Sequence, residues 1–151
     1  MSTPNATTAS PATGPRLVSV RLITDDVARL VAFYEHVTGL PARWATPDFA
    51  EVVTPVGTLA VGSTRTVAGP LGGGLLGAAD GPAPLSRAVV EFLVPDVDAE
   101  QRRLGDVLGE AVPEPVTMPW GNRSLLLRDP DGHVVNLFTP VTPAAIARAG
   151  G

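Results

Sequence analysis

The sequence predicts an α+β fold made of two copies of a β-α-β-β-β unit. The stretch RLVSVRLI alternates as a strand does, and TDDVARLVAFYEHVTGL, directly after it, carries apolar residues at helical spacing. A similar strand and helix follow 70 positions later, with the same residue types at helix caps and turn glycines. The matched positions, at shifts of 70 and then 75, are Val20 with Val90, Asp26 with Asp96, Gly39 with Gly109, and Gly57 with Gly132.

Each element of the first unit has its own signal. The first helix is expected to begin after Asp25 or Asp26, either of which is a good N-cap, and to end near Gly39. Short runs at 41–45, 49–54 and 58–63 predict three further strands. The segment AGPLGGGLLGAADGPAP is rich in Gly and Pro, which is typical of a linker between units.

These signals divide the chain into five segments. We expect a disordered tail at 1–15, a first module at 16–68, a Gly/Pro-rich linker at 69–85, a second module at 86–140, and a C-terminal tail or short helix at 141–151. The short helix would begin after Thr142, with Pro143 in its first turn.

Composition excludes several classes of function. With 44% hydrophobic and 17% charged residues, the 151-residue chain is expected to form a packed globule. A net charge of -4 offers no basic surface for nucleic acid, and the absence of cysteine excludes disulfides, thiolate metal sites and a cysteine nucleophile. No apolar run approaches the roughly 20 residues that a membrane-spanning helix needs. We therefore expect a cytoplasmic protein with neither a membrane nor a nucleic-acid partner.

Strand alternation sorts the side chains onto two faces. In RAVVEFLV, every second residue from Ala88 to Val94 is apolar, so this face should pack against a helix. Glu91 then points to the opposite face, and the same argument applied to the first strand places Arg21 there. A buried charge needs a partner, which could be the other residue of this pair, water or a ligand.

Three segments carry a resemblance to a known family: VRLITDDVARLVAFYEHVTGL, VVEFLVPDVDAEQRRL and MPWGNRSLLLRDPDGHVVNLFTP. They resemble the vicinal-oxygen-chelate superfamily, which contains glyoxalases, bleomycin-resistance proteins and extradiol dioxygenases. The resemblance covers about Leu17 to Pro140. It implies that the two modules form a curved mixed sheet around a cup, with the helices on the outside, and that the protein is a homodimer.

The resemblance also implies where metal ligands would lie. The superfamily's histidine and glutamate ligands correspond here to Ser19, Val61, Val89 and Asn136, all expected on the cup face. None of these is a usual ligand of a divalent transition metal. His36 is expected on the first helix and His133 in a turn. We therefore expect no cofactor, the alternative being a divalent metal held by other residues such as Glu51 and Glu91.

Other residues are candidates for contact with a ligand. Asn136 could bind a carbonyl, hydroxyl or amide, or could simply satisfy its own strand. Glu91 is the candidate general base, with Arg21 as its electrostatic partner, or the two form a salt bridge at the cup edge. The aromatic rings of Trp44, Trp120 and Phe138 are expected to line the cup or to pack in the core. Arg123 is expected at the cup mouth or, more simply, paired with a turn aspartate.

Three functions are consistent with these residues. The first is a metal-free protein that binds a drug or metabolite, for example an aromatic one, as bleomycin-resistance proteins bind an antibiotic. The second is a lyase, isomerase or oxygenase that uses the same cup, with or without a metal. The third is a structural or regulatory module whose cup is filled by its own side chains.

Overall fold

A computed structural model describes residues 15, 17, 19–68 and 88–150. Apart from Pro15, the expected tail lies outside these residues, as does the whole of the expected linker at 69–85. The described elements, in chain order, are β1 (Ser19–Thr24), α1 (Val27–Thr38), β2 (Arg43–Thr46), β3 (Phe49–Val53), β4 (Thr58–Ser63), α2 (Arg65–Ala68), β5 (Val89–Leu93), α3 (Val97–Leu108), β6 (Val116–Thr117), β7 (Asn122–Arg128), β8 (Val134–Pro140) and α4 (Pro143–Ala149). This order confirms an α+β fold of two β-α-β-β-β modules.

The two long helices begin and end at equivalent residues. A carboxylate oxygen of Asp26 accepts a hydrogen bond from the backbone N–H of Arg29 at 3.0 Å, and Asp96 caps α3 in the same way. Both helices end at glycines with positive φ, 69° at Gly39 and 64° at Gly109. Residues with a Cβ rarely adopt this conformation, so the glycines stop the helices at fixed points and return the chain to the sheet.

The strands form two four-stranded mixed sheets, in the orders β1-β4-β3-β2 and β5-β8-β7-β6. In each sheet the first strand of the module pairs in parallel with the last, and the remaining pairs are antiparallel. Among the described residues no ladder joins β1 to β5, so the mixed sheets of the two modules stay open toward each other at these edges. A cavity lies between the two edges.

In the second module, the alternation of side chains between the two faces of the sheet agrees with the prediction from the sequence. Glu91 lies opposite Asn136 and Phe92 lies opposite Leu137 in the parallel pair of β5 and β8. Leu137 is fully buried in the core on the helix side. Paired residues share a face, so Glu91 and Asn136 both point away from the helices.

The last strand of the first module is offset by one residue from the position that a constant sequence shift predicts. Val61 therefore does not lie on the expected cup face. Val61 lies opposite Leu22, and both are buried in the core on the helix side. Arg21 lies opposite Ala60, so Ala60 is the structural equivalent of Asn136. The second module has an additional residue, His133, between its turn glycine and its last strand. A shift of one residue in a strand reverses the face of every side chain, so a constant sequence offset assigns Val61 to the wrong face.

The hydrophobic core lies between the helices and the inner faces of the two sheets. It contains residues of both modules, among them Leu30 and Tyr34 from α1 and Leu104 from α3. Arg103 of α3 donates hydrogen bonds to the carbonyl oxygens of His36 and Val37 at 2.8 and 2.9 Å. A cation from the second module therefore satisfies carbonyl groups at the C-terminal end of the first module's helix.

The C-terminal residues form the short helix that the sequence predicts. The Thr142 hydroxyl caps α4 by accepting a hydrogen bond from the backbone N–H of Ala145, and Pro143 lies in the first turn. The turn before β7 packs closely on this cap: Gly121 has φ of 94°, and a Cβ built on it would lie 2.0 Å from the Thr142 hydroxyl oxygen. None of the helices among the described residues is long and apolar enough to cross a bilayer.

Candidate functional site

A cavity opens between the edges of β1 and β5. Its volume is about 830 Å³, within the range of pockets that hold small organic molecules. The walls are mainly apolar, with Val20 on one side and Val89 and Leu93 on the other, and Ser19 and Glu91 also line it. The lining continues to the helix side of the sheets, where it includes Leu22, Val37, Leu40, Phe92 and Leu137.

The main polar feature beside this cavity is the pair formed by Glu91 and Asn136. The Asn136 side-chain Nδ2 donates a hydrogen bond of 2.8 Å to Oε1 of Glu91. Asn136 is only 7% exposed, whereas Glu91 is exposed. The opposite amide orientation would place two oxygens against each other, so the carboxylate fixes the direction of the amide. The other amide atom, Oδ1, is buried and has no hydrogen-bond partner among the described residues.

Asn136 and Glu91 belong to a surface that we call the second-module cup face. It consists of the side chains of β5–β8 that point away from α3: Val89, Glu91, Leu93, Val116, Asn122, Ser124, Leu126, Arg128, Val134, Asn136, Phe138 and Pro140. The Ser124 hydroxyl, on a residue 3% exposed, likewise lacks a hydrogen-bond partner within the described chain. This surface is therefore largely apolar, with a small polar group at its centre. The sequence analysis did not identify Ser124, although a serine next to the apolar run of NRSLLLR indicates a polar residue within a largely apolar face.

Arg21 lies on the corresponding face of the first module. Its guanidinium carbon is 4.9 Å from the centre of the Phe49 ring, in a cation–π arrangement. Gly62 lies beside this stack: a Cβ built on it would be in ordinary contact with Arg21 and Phe49, at 3.6 Å from each, and would lie 2.7 Å from the Thr66 hydroxyl oxygen. Within the described residues, Arg21 and Glu91 form no salt bridge with each other. Each has another partner in this structure, so the two charges are separate features of the site.

Two of the expected aromatic residues lie away from the centre of the site. Trp44 pairs with Ala50, whose side chain is buried on the helix side, so the register places Trp44 on that side as well. Trp120 is 58% exposed in the turn before β7, where its carbonyl oxygen accepts a hydrogen bond from Arg148. Phe138, in contrast, lies beside Leu93 on the second-module cup face.

Arg123 has a different partner from those expected. It lies on the helix side of β7 and forms two hydrogen bonds of 2.8 Å with the carboxylate of Asp98 on α3. The hydrogen bonds from this guanidinium lower the pKa of Asp98 below its ordinary value. The expected pairing with Asp129 or Asp131 is wrong, because Arg123 points to the helix rather than along the strand to the turn.

The turn Asp129 to Gly132 is held by a buried network that the sequence did not reveal. The Asp129 carboxylate is fully buried and accepts hydrogen bonds of 2.8 Å from the Tyr34 hydroxyl and from Nδ1 of His133. It also accepts hydrogen bonds from the backbone N–H groups of Asp131 and His133. Burial first, and then the bond to Asp129, raise the pKa of Tyr34 far above its ordinary value. His133 is therefore a structural member of this network, and it also borders the end of the cavity.

Comparison with known proteins agrees with this architecture. The family model described as "Glyoxalase/Bleomycin resistance protein/Dioxygenase superfamily" matches residues 16–137. A glyoxalase/bleomycin resistance protein/dioxygenase from Nocardioides has a TM-score of 0.68 at 22% identity, covering 88% of each chain.

Two further solved structures have the same fold. Lactoylglutathione lyase from Agrobacterium tumefaciens has a TM-score of 0.61 at 22% identity, covering 85% of this chain and 95% of that one. TioX from Micromonospora sp. ML1 has a TM-score of 0.57 at 22% identity, covering 84% of this chain and 100% of that one. At these identities the likeness shows the fold alone, and a comparison with curated proteins found no match. Because the family model spans most of the chain and both modules, the protein belongs to the glyoxalase/bleomycin resistance protein/dioxygenase superfamily.

Proposed function

We propose that the protein is a metal-free binding protein that holds a small organic molecule between its two modules. The observation that carries the proposal is the cavity of about 830 Å³, which is bordered by the apolar edges of β1 and β5 and contains the Glu91 carboxylate. A cavity with apolar walls and few polar groups is the usual form of a small-molecule site. Such an opening also argues against a module whose cup is filled by its own side chains.

The residues at the family's ligand positions do not fit a divalent metal. With the register corrected, these positions hold Ser19, Ala60, Val89 and Asn136. Asn136 directs its amide nitrogen toward Glu91, which leaves only its neutral Oδ1 for a cation, and a neutral amide oxygen is a poor substitute for the carboxylate ligand of a divalent transition metal. The described residues contain no group of three or more His, Asp or Glu side chains that could hold a metal ion. We therefore assign the site no metal-dependent step.

The binding proposal is tested with a matched pair of surface variants. Val89 lines the cavity and is 52% exposed, while Val107 is 44% exposed on α3 and does not line it. We expect aromatic compounds that raise the melting temperature of the wild type to do the same for Val107→Arg and to have no effect on Val89→Arg. Equal responses in both variants would contradict binding in this cavity.

Elemental analysis of protein purified without chelator provides an independent test of the metal-free assignment. We expect no divalent transition metal near one equivalent per chain. A stoichiometric metal that is lost in Glu91→Gln would instead support a metal site assembled from unexpected residues.

An enzyme is the second candidate, and the position of Glu91 favours it. This carboxylate is exposed, lines the cavity and is oriented by Asn136, as a general base requires. In a metal-free enzyme it would remove a proton from the bound substrate. Loss of turnover in Glu91→Gln, with substrate binding retained, would establish this role.

We also propose that the protein forms a homodimer. Large apolar side chains also remain exposed outside the cavity, including Val116, Trp120, Val141 and Ile146. Exposed apolar surface of this kind is typical of an interface. Analytical ultracentrifugation is expected to give a mass of twice the 15.5 kDa chain, and a monomer at all accessible concentrations would refute the proposal.

A further inference from the structure

The polar groups of the second-module cup face present acceptors to a ligand rather than donors. Asn136 uses one N–H of its amide to bind Glu91, and its Oδ1 has no partner among the described residues. Glu91 adds a carboxylate, which in its ionised form can only accept hydrogen bonds. The pair therefore combines negative charge with acceptor oxygens, and the one remaining N–H of Asn136 does not offset that charge for an anionic group.

No cation of the described chain neutralises Glu91. Arg21 stacks on Phe49 in the first module, and Arg123 pairs with Asp98 on the helix side of the sheet. Arg128 lies on the cup face, two residues along β7 from the cross-strand neighbour of Asn136, and it donates a hydrogen bond to the carbonyl oxygen of Gly132. The salt bridges among the described residues do not include Glu91. Its charge is therefore available to a ligand.

Two buried oxygens of the second-module cup face point to the same kind of ligand. Both Oδ1 of Asn136 and the hydroxyl of Ser124 lack partners among the described residues. A buried acceptor without a donor destabilises the structure, so a donor that reaches it is favoured. Because Oδ1 is buried, a ligand reaches it only when a neighbouring side chain moves, and Leu126, the cross-strand neighbour of Asn136, is half-exposed.

We infer that the bound molecule presents a cationic nitrogen group, such as a protonated amine or an amidine, to Glu91 and Asn136. The inference rests on the proposed binding function and adds the chemical class of the ligand. A nitrogen cation supplies several N–H donors and a positive charge in one group, and charge-assisted hydrogen bonds of this type are among the strongest in proteins. The apolar residues Leu93 and Phe138, on the same face, hold the remainder of the molecule.

The test uses three flat aromatic probes of nearly the same shape: benzamidine, which is cationic, benzamide, which is neutral, and benzoate, which is anionic. Binding is followed by the amide NMR signals of Glu91 and Asn136. We expect saturable shifts with benzamidine, at an affinity about tenfold or more above that of benzoate. In Glu91→Gln the preference for benzamidine over benzamide should disappear, and in the exposed control Glu110→Gln, which has the same net charge, it should persist.

The outcomes separate this inference from the function on which it rests. If benzamide or benzoate binds the cup face as well as benzamidine does, the face binds small molecules but the cationic class is refuted. If none of the three probes shifts the signals of the cup face, the binding function is refuted as well. Because Glu91 is exposed and its substitution by Gln preserves shape, loss of folding is not expected, and the melting temperature of the variant checks this.

Discussion

Raising the pH tests the buried position of Tyr34 through a single titrating group. Tyr34 is the only tyrosine, and the chain has no cysteine and no lysine, since all 11 basic residues are arginines. Between about pH 9 and 12, the Tyr34 phenol is therefore the only side chain expected to lose a proton. In the folded protein, burial and the bond to Asp129, together with the charges of Asp129 and Asp131, raise the pKa of this phenol far above its ordinary value.

The direction of the pH effect on stability follows from the pKa of Tyr34 in the unfolded and in the folded state. Unfolded Tyr34 loses its proton near pH 10, while folded Tyr34 keeps it, so the free energy of unfolding is undiminished below about pH 10 and decreases above it. One pH unit above the unfolded pKa, the loss is about 1.4 kcal/mol, and each further unit removes a similar amount until the folded pKa is reached.

Two measurements check this prediction. The near-ultraviolet phenolate absorbance should stay absent above pH 10 while circular dichroism reports a folded chain, and should appear together with unfolding. Urea unfolding at several pH values should show the stated loss for the wild type and almost none for Tyr34→Phe. Phenolate absorbance with a midpoint near pH 10 in a fully folded protein would show that Tyr34 is not buried against Asp129.

Further predictions concern glycines and one ion pair. Gly121→Ala should destabilise the protein by about 2 kcal/mol or more in urea unfolding, because its Cβ would clash with Thr142 at a positive φ. Gly105→Ala lies in a helix with open space around the new Cβ, so it should instead stabilise the protein by up to about 1 kcal/mol. Equal changes in the free energy of unfolding for the two glycine variants would contradict the described packing. Arg123 lowers the pKa of Asp98, so their pairing stabilises the fold above the ordinary aspartate pKa and is lost as the pH falls. Arg123→Gln should therefore lose less stability than the wild type between neutral and acid pH, and identical acid profiles would refute this.

The sequence was sufficient for features that depend on local patterns. The caps at Asp26 and Asp96 and the shared face of Glu91 and Asn136 follow from residue type and alternation, and the structure has them as expected. Val61 was misplaced because a shift of 75 matches the turn glycines but ignores the additional residue His133.

Partners distant in the chain were not predictable. Arg123 binds Asp98, 25 positions away, and Tyr34 binds Asp129, 95 positions away. Side chains of this length can reach several carboxylates. The carboxylate that each one binds depends on how the helices pack on the sheets, and the alternation of residues along a strand does not reveal this packing. The ligand class that we infer could not be predicted from the sequence either, because the inference depends on which end of the Asn136 amide binds Glu91.

The bond between Tyr34 and Asp129 joins two halves whose sheets share no ladder. A protein built by doubling one unit could melt in two steps, each half unfolding alone. Here, separation of the halves would leave the Asp129 anion without its phenol donor and the end of α1 without Arg103. Cooperativity between the modules therefore depends on a few polar links across the core as well as on its apolar contacts, and calorimetry should record a single transition.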